Sequence, residues 1–295
     1  MKNNNISLSF EVFPVASKEN LVKLSETCAI LNNKYTPKFI SVTFGAAGSA
    51  QLKTLAVVKQ LVLQDIPTTP HISCVNMTRQ GLQELLDIYI KLEVKRLLVI
   101  RGDLVPNSKN SFPEFQYASQ LIKCIRELTG NHFHITVAAY PEFHPQALSS
   151  ETDLTYLKYK QELGANDAIT QFFFNSDAYF RFRESCLKLG ITIPIIPGIM
   201  PIQDYARLVR ISNTCGTEIP LWLRKRLDSL DGDVFSIKSL GVELISILCE
   251  RLLLDEAPGL HFYTLNSVNP TALIYNNLFA DREYIDFFNI LNYAL

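Results

Sequence analysis

Hydrophobic and polar positions along this chain change period repeatedly. Short apolar runs, the mark of buried strands, alternate with longer stretches in which apolar residues recur at i, i+3, i+4 and i+7, the mark of amphipathic helices. The first strand is expected over Ser7–Phe13, with Pro14 ending it. Ser17 is placed to cap a helix that carries Leu21, Leu24, Cys28 and Leu31 on one face. Further strands are expected at Lys38–Phe44, Thr69–Cys74, Arg96–Arg101, Ile135–Tyr140, Ala168–Phe173, Ile193–Ile196 and His261–Leu265. Between them, Thr78 caps a helix bearing Leu82, Leu85, Leu86 and Tyr89, and helical patterns run through Tyr117–Leu128, Leu154–Leu163, Ser176–Leu189 and Ile237–Leu254.

These segments make eight β-then-α units. Runs such as Leu97-Leu-Val-Ile and Ile193-Pro-Ile-Ile are continuously apolar, as strands of a parallel sheet covered on both faces must be. An open doubly wound sheet and a closed barrel both alternate in this way. Eight units in 295 residues favour an α/β fold of the (βα)8 barrel type, a TIM barrel. No internal repeat and no linker rich in Pro, Gly or Ser divides the chain, so residues 1–295 are expected to form a single catalytic domain. The longest polar loop is Val105–Glu114. The tail after Asp281 is aromatic (Tyr284, Phe287, Phe288, Tyr293) and is expected to pack back on the barrel or against a neighbouring subunit.

Composition narrows the classes of function. The formal net charge of −1 gives no long-range attraction to nucleic acid or to an anionic membrane. The start, Met1-Lys-Asn-Asn-Asn, lacks the apolar run of a signal peptide, and no stretch approaches the roughly 20 apolar residues of a spanning helix. The six cysteines are scattered, without a C-x-x-C pair. They read as reduced core thiols of a cytoplasmic protein and not as a zinc site.

Barrel enzymes place their chemistry at the C-terminal ends of the strands. Nearly every strand here ends in polar groups: Glu11, Thr43, His71, Arg101-Gly-Asp103, Tyr140-Pro-Glu-Phe-His144, Gln171, Pro197-Gly198, then Thr264 and Asn266. Glu11 lies between Phe10 and Val12, and alternation turns it toward the barrel interior. Lost hydration would raise its pKa and suit it to general-acid catalysis; a structural carboxylate paired with Lys or Arg is the alternative. Arg101-Gly102-Asp103 reads as a close backbone approach to a ligand or as a tight turn with an ion pair. His71 reads as a core residue unless a ligand reaches it. His132 and His134 flank Phe133 without a third ligand nearby, so no metal is expected. His144 sits in a proline-flanked loop suited to ligand contact, and Lys158 and Lys160 either meet phosphates or lie on a solvated face. Neither a G-x-G-x-x-G nor a Walker-type loop is present, so a dinucleotide would not be held in the Rossmann manner.

Eight segments in order carry a family resemblance: Ser9-Phe-Glu-Val-Phe-Pro14, Phe39-Ile-Ser-Val-Thr-Phe-Gly45, Pro70-His71, Arg101-Gly-Asp-Leu104, Ala138-Ala-Tyr-Pro-Glu-Phe-His-Pro145, Ala168-Ile-Thr-Gln-Phe-Phe-Phe174, Ile195-Ile-Pro-Gly-Ile199 and His261-Phe-Tyr-Thr-Leu-Asn266. Along nearly its full length the chain resembles the bacterial methylenetetrahydrofolate reductases. The resemblance implies noncovalent FAD at the strand C-termini, reduced by NADH or NADPH, which leaves before methylenetetrahydrofolate takes the hydride. It implies Glu11 as the general acid that opens the imidazolidine ring, Asp103 as a carboxylate close to flavin and pterin, and Gln171 as an amide contacting folate and nicotinamide. Thr43 joins Asp103 and Gln171 in substrate binding. Thr43, Phe44, His71, Arg101, Gly102, Asp103, Ala118, Tyr140, His144, Ala147, Asp153 and Lys160 fall at FAD-contacting or adjacent positions, among which Arg101, His144 and Lys160 suit charge-assisted contacts. A homo-oligomer without a regulatory domain, insensitive to S-adenosylmethionine, is also implied. The chain departs from the best-known pattern at Val15, Tyr156, Tyr159, Arg207, Ile211 and Ser267 and keeps Glu11, Asp103 and Gln171. Another barrel flavoprotein, of proline-dehydrogenase type, and a non-catalytic barrel are the competing readings.

Overall fold

The structure, a computed structural model, describes residues 6–44, 50–102 and 114–279. Strands and helices alternate as β1 (Ser7–Val12), α1 (Lys18–Tyr35), β2 (Phe39–Val42), α2 (Ala50–Val62), β3 (Thr68–Ser73), α3 (Arg79–Lys91), β4 (Arg96–Ile100), α4 (Ala118–Thr129), β5 (His134–Ala139), α5 (Ser150–Glu162), β6 (Asp167–Thr170) and α6 (Ser176–Lys188). The order continues through β7 (Ile195–Ile196), β8 (Gly198–Ile199), α7 (Tyr205–Cys215), α8 (Leu221–Asp228), α9 (Val234–Leu254), β9 (Gly259–Tyr263) and α10 (Asn269–Phe279). The helix starts follow local chemistry. Ser17 Oγ accepts from the Asn20 amide and Thr78 Oγ1 from the Gly81 amide, each satisfying a donor that the first turn leaves open. Asp204 and Asp233 cap α7 and α9 in the same way.

All pairings are parallel, in the order β7-β6-β5-β4-β3-β2-β1-β9-β8. β7 and β8 are two halves of one strand position on either side of Pro197. The first half pairs with β6 and the second with β9, so the chain itself bridges the two ends of the sheet and the expected barrel closes. The seventh strand therefore starts later than Ile193 and resumes beyond Pro197, whose missing N–H interrupts the ladder while its carbonyl accepts from His261 N–H at 3.0 Å. β6 stops at Thr170, short of Phe173, although Gln171 N–H still donates to the Ala139 carbonyl.

Alternation sorts the strand side chains. Phe10, Val12, Ile40, Val42, Leu97, Val99, Ile135, Val137 and Phe262 are buried outward beneath the helices in the main core. Inward, Phe39, Leu98, Ile169 and Ile196 form a separate apolar cluster. At the end where the strands begin, Arg96 Nη1 donates to Asp167 Oδ2 at 2.6 Å and to Thr136 Oγ1 at 2.9 Å, and Thr136 Oγ1 donates to Asp167 Oδ1 at 2.6 Å. The Arg96 guanidinium lies 4.7 Å from the Phe39 ring centroid, closing this end with a buried ion pair. No helix among the described residues is long and apolar enough to cross a membrane.

Candidate active site

Strand β1 turns Glu11 into the barrel, as alternation requires, and register sets it beside Ser41 of β2 and Tyr263 of β9. Two imidazoles converge on the same carboxylate oxygen: His71 Nε2 is 3.3 Å and His261 Nε2 3.6 Å from Glu11 Oε2. Both histidines are buried, whereas the Glu11 side chain keeps 18 % of its surface open. His261 Nδ1 pairs with Ser9 Oγ at 2.8 Å, which fixes the ring. Thr264 Oγ1 donates to the Glu11 carbonyl at 2.7 Å, and Tyr263 OH to the Thr170 carbonyl at 2.7 Å. Gly198 makes room for that tyrosine, since a Cβ there would fall 2.1 Å from the Thr170 carbonyl oxygen.

This geometry corrects the electrostatic expectation for Glu11. Burial raises its pKa, as the sequence suggests, but hydrogen bonding and electrostatic attraction from His261 and His71 outweigh it, and the net pKa falls from 4.5 to about 2. Glu11 is a carboxylate at rest, and its partners are histidines, not the Lys or Arg of the alternative reading. Ser41 Oγ, Thr69 Oγ1, His71 Nε2 and His261 Nε2 are buried in this half of the barrel without completing a hydrogen bond among the described residues. Two buried imidazoles facing one carboxylate, with the Ser41 and Thr69 hydroxyls left without partners on the neighbouring strands, mark a site built for something other than stability.

Beyond β4, Gly102 has φ +78°, and a Cβ there would lie 2.1 Å from Ser73 Oγ, so only glycine fits. Arg101 Nη2 donates to Gln146 Oε1 at 2.6 Å. Gln146 N–H donates to His144 Nδ1, and His144 N–H to Asp153 Oδ2 at 3.0 Å. Lys160 is not on a solvated face: its Nζ donates to the Ala138 carbonyl at 2.9 Å, and burial pushes its pKa down to about 8 despite Asp153. Tyr140 meets the His144 ring edge-on at 4.6 Å. Thr43 N–H donates to the Val12 carbonyl and Ala147 N–H to the His144 carbonyl. Phe44 and Ala118 are half-buried. Gln171 lines a small depression with Tyr140, Glu142, Phe143, Cys215 and Thr217.

Some expectations fall elsewhere. Asp103 lies outside the described residues, as do nearly all of the Val105–Glu114 loop and the aromatic tail after Asp281. His134 belongs to the opposite end of the barrel, with Nε2 2.8 Å from Asp167 Oδ2. None of the six cysteines forms a disulfide among the described residues, and all but the half-buried Cys215 are buried. Ser9, His261 and Tyr263 carry no role in the sequence reading. The signal was available in the alternation of His261-Phe262-Tyr263, with Phe262 facing the helices and its neighbours facing inward.

A family model described as methylenetetrahydrofolate reductase matches residues 1–279. The chain belongs to the methylenetetrahydrofolate reductase family. It is therefore an enzyme, an oxidoreductase. The 5,10-methylenetetrahydrofolate reductase of Buchnera aphidicola subsp. Schizaphis graminum is 36 % identical over 265 residues, covering 90 % of this chain and 89 % of that one. The Escherichia coli enzyme of the same name is 35 % identical over 274 residues, covering 92 % and 90 %. Among solved structures, an uncharacterized Clostridium thermocellum protein that binds two copies of 5-methyl-5,6,7,8-tetrahydrofolic acid is similar with a TM-score of 0.65 at 14 % identity, covering 93 % of this chain and 96 % of that chain. At that identity the likeness speaks for the barrel fold alone.

Proposed function

We propose that this protein reduces 5,10-methylenetetrahydrofolate to 5-methyltetrahydrofolate, feeding methionine synthesis, with FAD as resident cofactor and NADH or NADPH as reductant. When bound, FAD supplies the hydride relay between the two substrates. The proposal includes a single catalytic barrel domain acting in the cytoplasm as a homo-oligomer. The observation that carries it is the Glu11 carboxylate flanked by His71 and His261 at the inner mouth of a barrel whose family is known.

Gly102, whose φ of +78° and close approach to Ser73 keep the backbone free of a side chain, and the cationic Arg101 next to it fit a close-lying cofactor that carries phosphates. His144, Asp153 and Lys160 would complete that side, with Thr43, Phe44, Ala118, Tyr140 and Ala147 lining it. Asp103 and Gln171 would hold the folate, Gln171 through its amide.

Opening the imidazolidine ring needs a proton on the departing nitrogen. A carboxyl group with a pKa near 2 carries almost none at neutral pH, so Glu11 alone is a poor acid. The imidazoles resolve this. His71 Nε2 and His261 Nε2 lie 3.3 and 3.6 Å from Glu11 Oε2, near enough to return a proton to the carboxylate before it passes to the substrate nitrogen. The carboxylate is thus the last member of a shared-proton group and returns to its charged state after transfer.

An anaerobic stopped-flow assay of the two half-reactions tests the reading. NADH or NADPH should bleach the flavin, and methylenetetrahydrofolate should restore its colour. Glu11→Gln should keep the first step and lose most of the second. Failure of the folate to reoxidise reduced wild-type enzyme would leave a different barrel flavoprotein as the answer.

A further inference from the structure

Ser9 of β1 and His261 of β9 are register partners. Phe10 and Phe262 beside them face the helices, so alternation turns both residues into the barrel, two positions before Glu11 and Tyr263. Both are buried, and Ser9 Oγ lies 2.8 Å from His261 Nδ1. Pairing is not automatic for a hydroxyl here: on β2 and β3, Ser41 Oγ and Thr69 Oγ1 complete no hydrogen bond among the described residues. The other nitrogen of the ring, His261 Nε2, stands 3.6 Å from Glu11 Oε2, a little beyond hydrogen-bond length. Such contacts tighten when a substrate fills the site. One edge of the imidazole is thus anchored, and the other is aimed at the carboxylate.

The titratable groups facing this ring are few. Glu11 comes from β1, and His71 from β3 shares the same carboxylate oxygen. Tyr263 of β9 meets the ring edge-on at 5.3 Å, and burial keeps that phenol in its neutral form. Phe39 of β2 packs against the ring at 6.1 Å and against the Arg96 guanidinium of β4 at 4.7 Å. From β8, Gly198 pairs with His261 and brings no charge. A serine hydroxyl has one donor and two acceptor lone pairs. It donates to Nδ1 when the ring is neutral with its proton on Nε2. It rotates and accepts when Nδ1 carries the proton. A carbonyl or carboxylate in its place could only accept, and would hold a proton on Nδ1 permanently.

We propose that Ser9 is a positioning residue for the proton that Glu11 delivers, an inference that rests on the reading of Glu11 as donor in the folate step. Ser9 holds the His261 ring against Oε2 and lets Nδ1 gain or lose a proton without leaving a buried nitrogen unpaired. From the protonated ring, the Nε2 proton passes to Glu11 Oε2 while Nδ1–H stays on Ser9 Oγ. Glu11 passes the proton to the departing nitrogen. Water reaching the partly open carboxylate supplies the next proton to Nε2 after the product leaves. Ser9 itself neither ionises nor forms a covalent bond.

The test times flavin reduction by NADH or NADPH and flavin reoxidation by methylenetetrahydrofolate separately across the neutral pH range, in wild type, Ser9→Ala, Ser9→Cys and Ser9→Thr. The alanine and cysteine variants should bind flavin and reduce it as wild type does, and slow the folate step roughly ten- to a hundredfold. The protonated ring loses most when its acceptor goes, because hydrogen bonds to charged groups are the stronger ones. Their folate step should therefore fall away at a lower pH than in wild type and recover in part on acidification. Ser9→Thr keeps the hydroxyl and should keep the rate and the profile. Should the alanine variant fail to take up flavin, the cysteine variant, which fills the same space, reads the same quantity. An unchanged folate step, slowing by one factor at every pH, or a threonine variant as slow as alanine would overturn the proposal. Wild-type enzyme that methylenetetrahydrofolate cannot reoxidise removes the folate reading as well, whereas active wild type with indifferent Ser9 variants removes the serine's role alone.

Discussion

Replacing Glu11 by Gln removes a carboxyl group that the fold holds ionised, and the consequence for stability has a definite sign. The native pKa is about 2 and the ordinary value 4.5. A group whose pKa is depressed on folding stabilises the native state above the unfolded value, and that stabilisation is lost as pH falls through the native value. That lowering corresponds to about 3 kcal/mol at neutral pH. Integrating the two titrations, about 2 kcal/mol of this disappears between pH 5 and pH 3. Glutamine is nearly isosteric and does not titrate, so the stability difference between wild type and Glu11→Gln separates the contribution of this carboxyl from general acid denaturation. Urea unfolding of both proteins at pH 3, 4 and 5 measures it: wild type should lose ground to the variant by about 2 kcal/mol over that range. Parallel pH profiles would show that the imidazoles do not hold the carboxyl down. A wild type that gained on the variant as pH fell would mean that burial dominates and that Glu11 is protonated at rest.

Gly102→Ala should cost about 1–3 kcal/mol of stability in the urea midpoint and weaken flavin uptake, because φ +78° and the 2.1 Å approach to Ser73 Oγ leave no place for a methyl group. Asp167→Ala strands the buried Arg96 guanidinium and should cost about 3–5 kcal/mol, while Arg96→Met with Asp167→Leu should recover most of it; both are read by denaturant unfolding. Lys160→Met should weaken FAD binding without destabilising the apo-protein. The Lys160 pKa is depressed from 10.5 to about 8, so the native state binds fewer protons than the unfolded one, and wild type should gain stability relative to the variant between pH 8 and 10.5.

The element order was legible because backbone hydrogen bonding and side-chain period are local matters. Strand period two and helix period 3.6 write themselves into runs such as Leu97–Ile100 and the Leu82, Leu85, Leu86 and Tyr89 face, and Ser17 and Thr78 cap where a hydroxyl stands before a first turn. The break at Pro197 was half-visible: proline forbids a ladder donor, but only closure shows that the strand resumes beyond it to pair with β9. Among site residues, inward Glu11 and obligatory Gly102 followed from alternation and from the turn. Lys160, whose helix reads equally well as a solvated face, needed tertiary contacts to reveal its bond to the Ala138 carbonyl.

What the sequence alone determined is the set of eight strand-then-helix units, the side each strand residue faces and the family to which its segments are similar. The tertiary structure decided which inward residues meet. Glu11 and His261 are 250 positions apart, and only the β1–β9 pairing that closes the barrel brings them within 3.6 Å. The sign of the Glu11 shift was decided there too. Burial is foreseeable from apolar neighbours in the chain, but the charge of a carboxyl group depends on every dipole and cation around it, and those come from strands that only the closed barrel brings together.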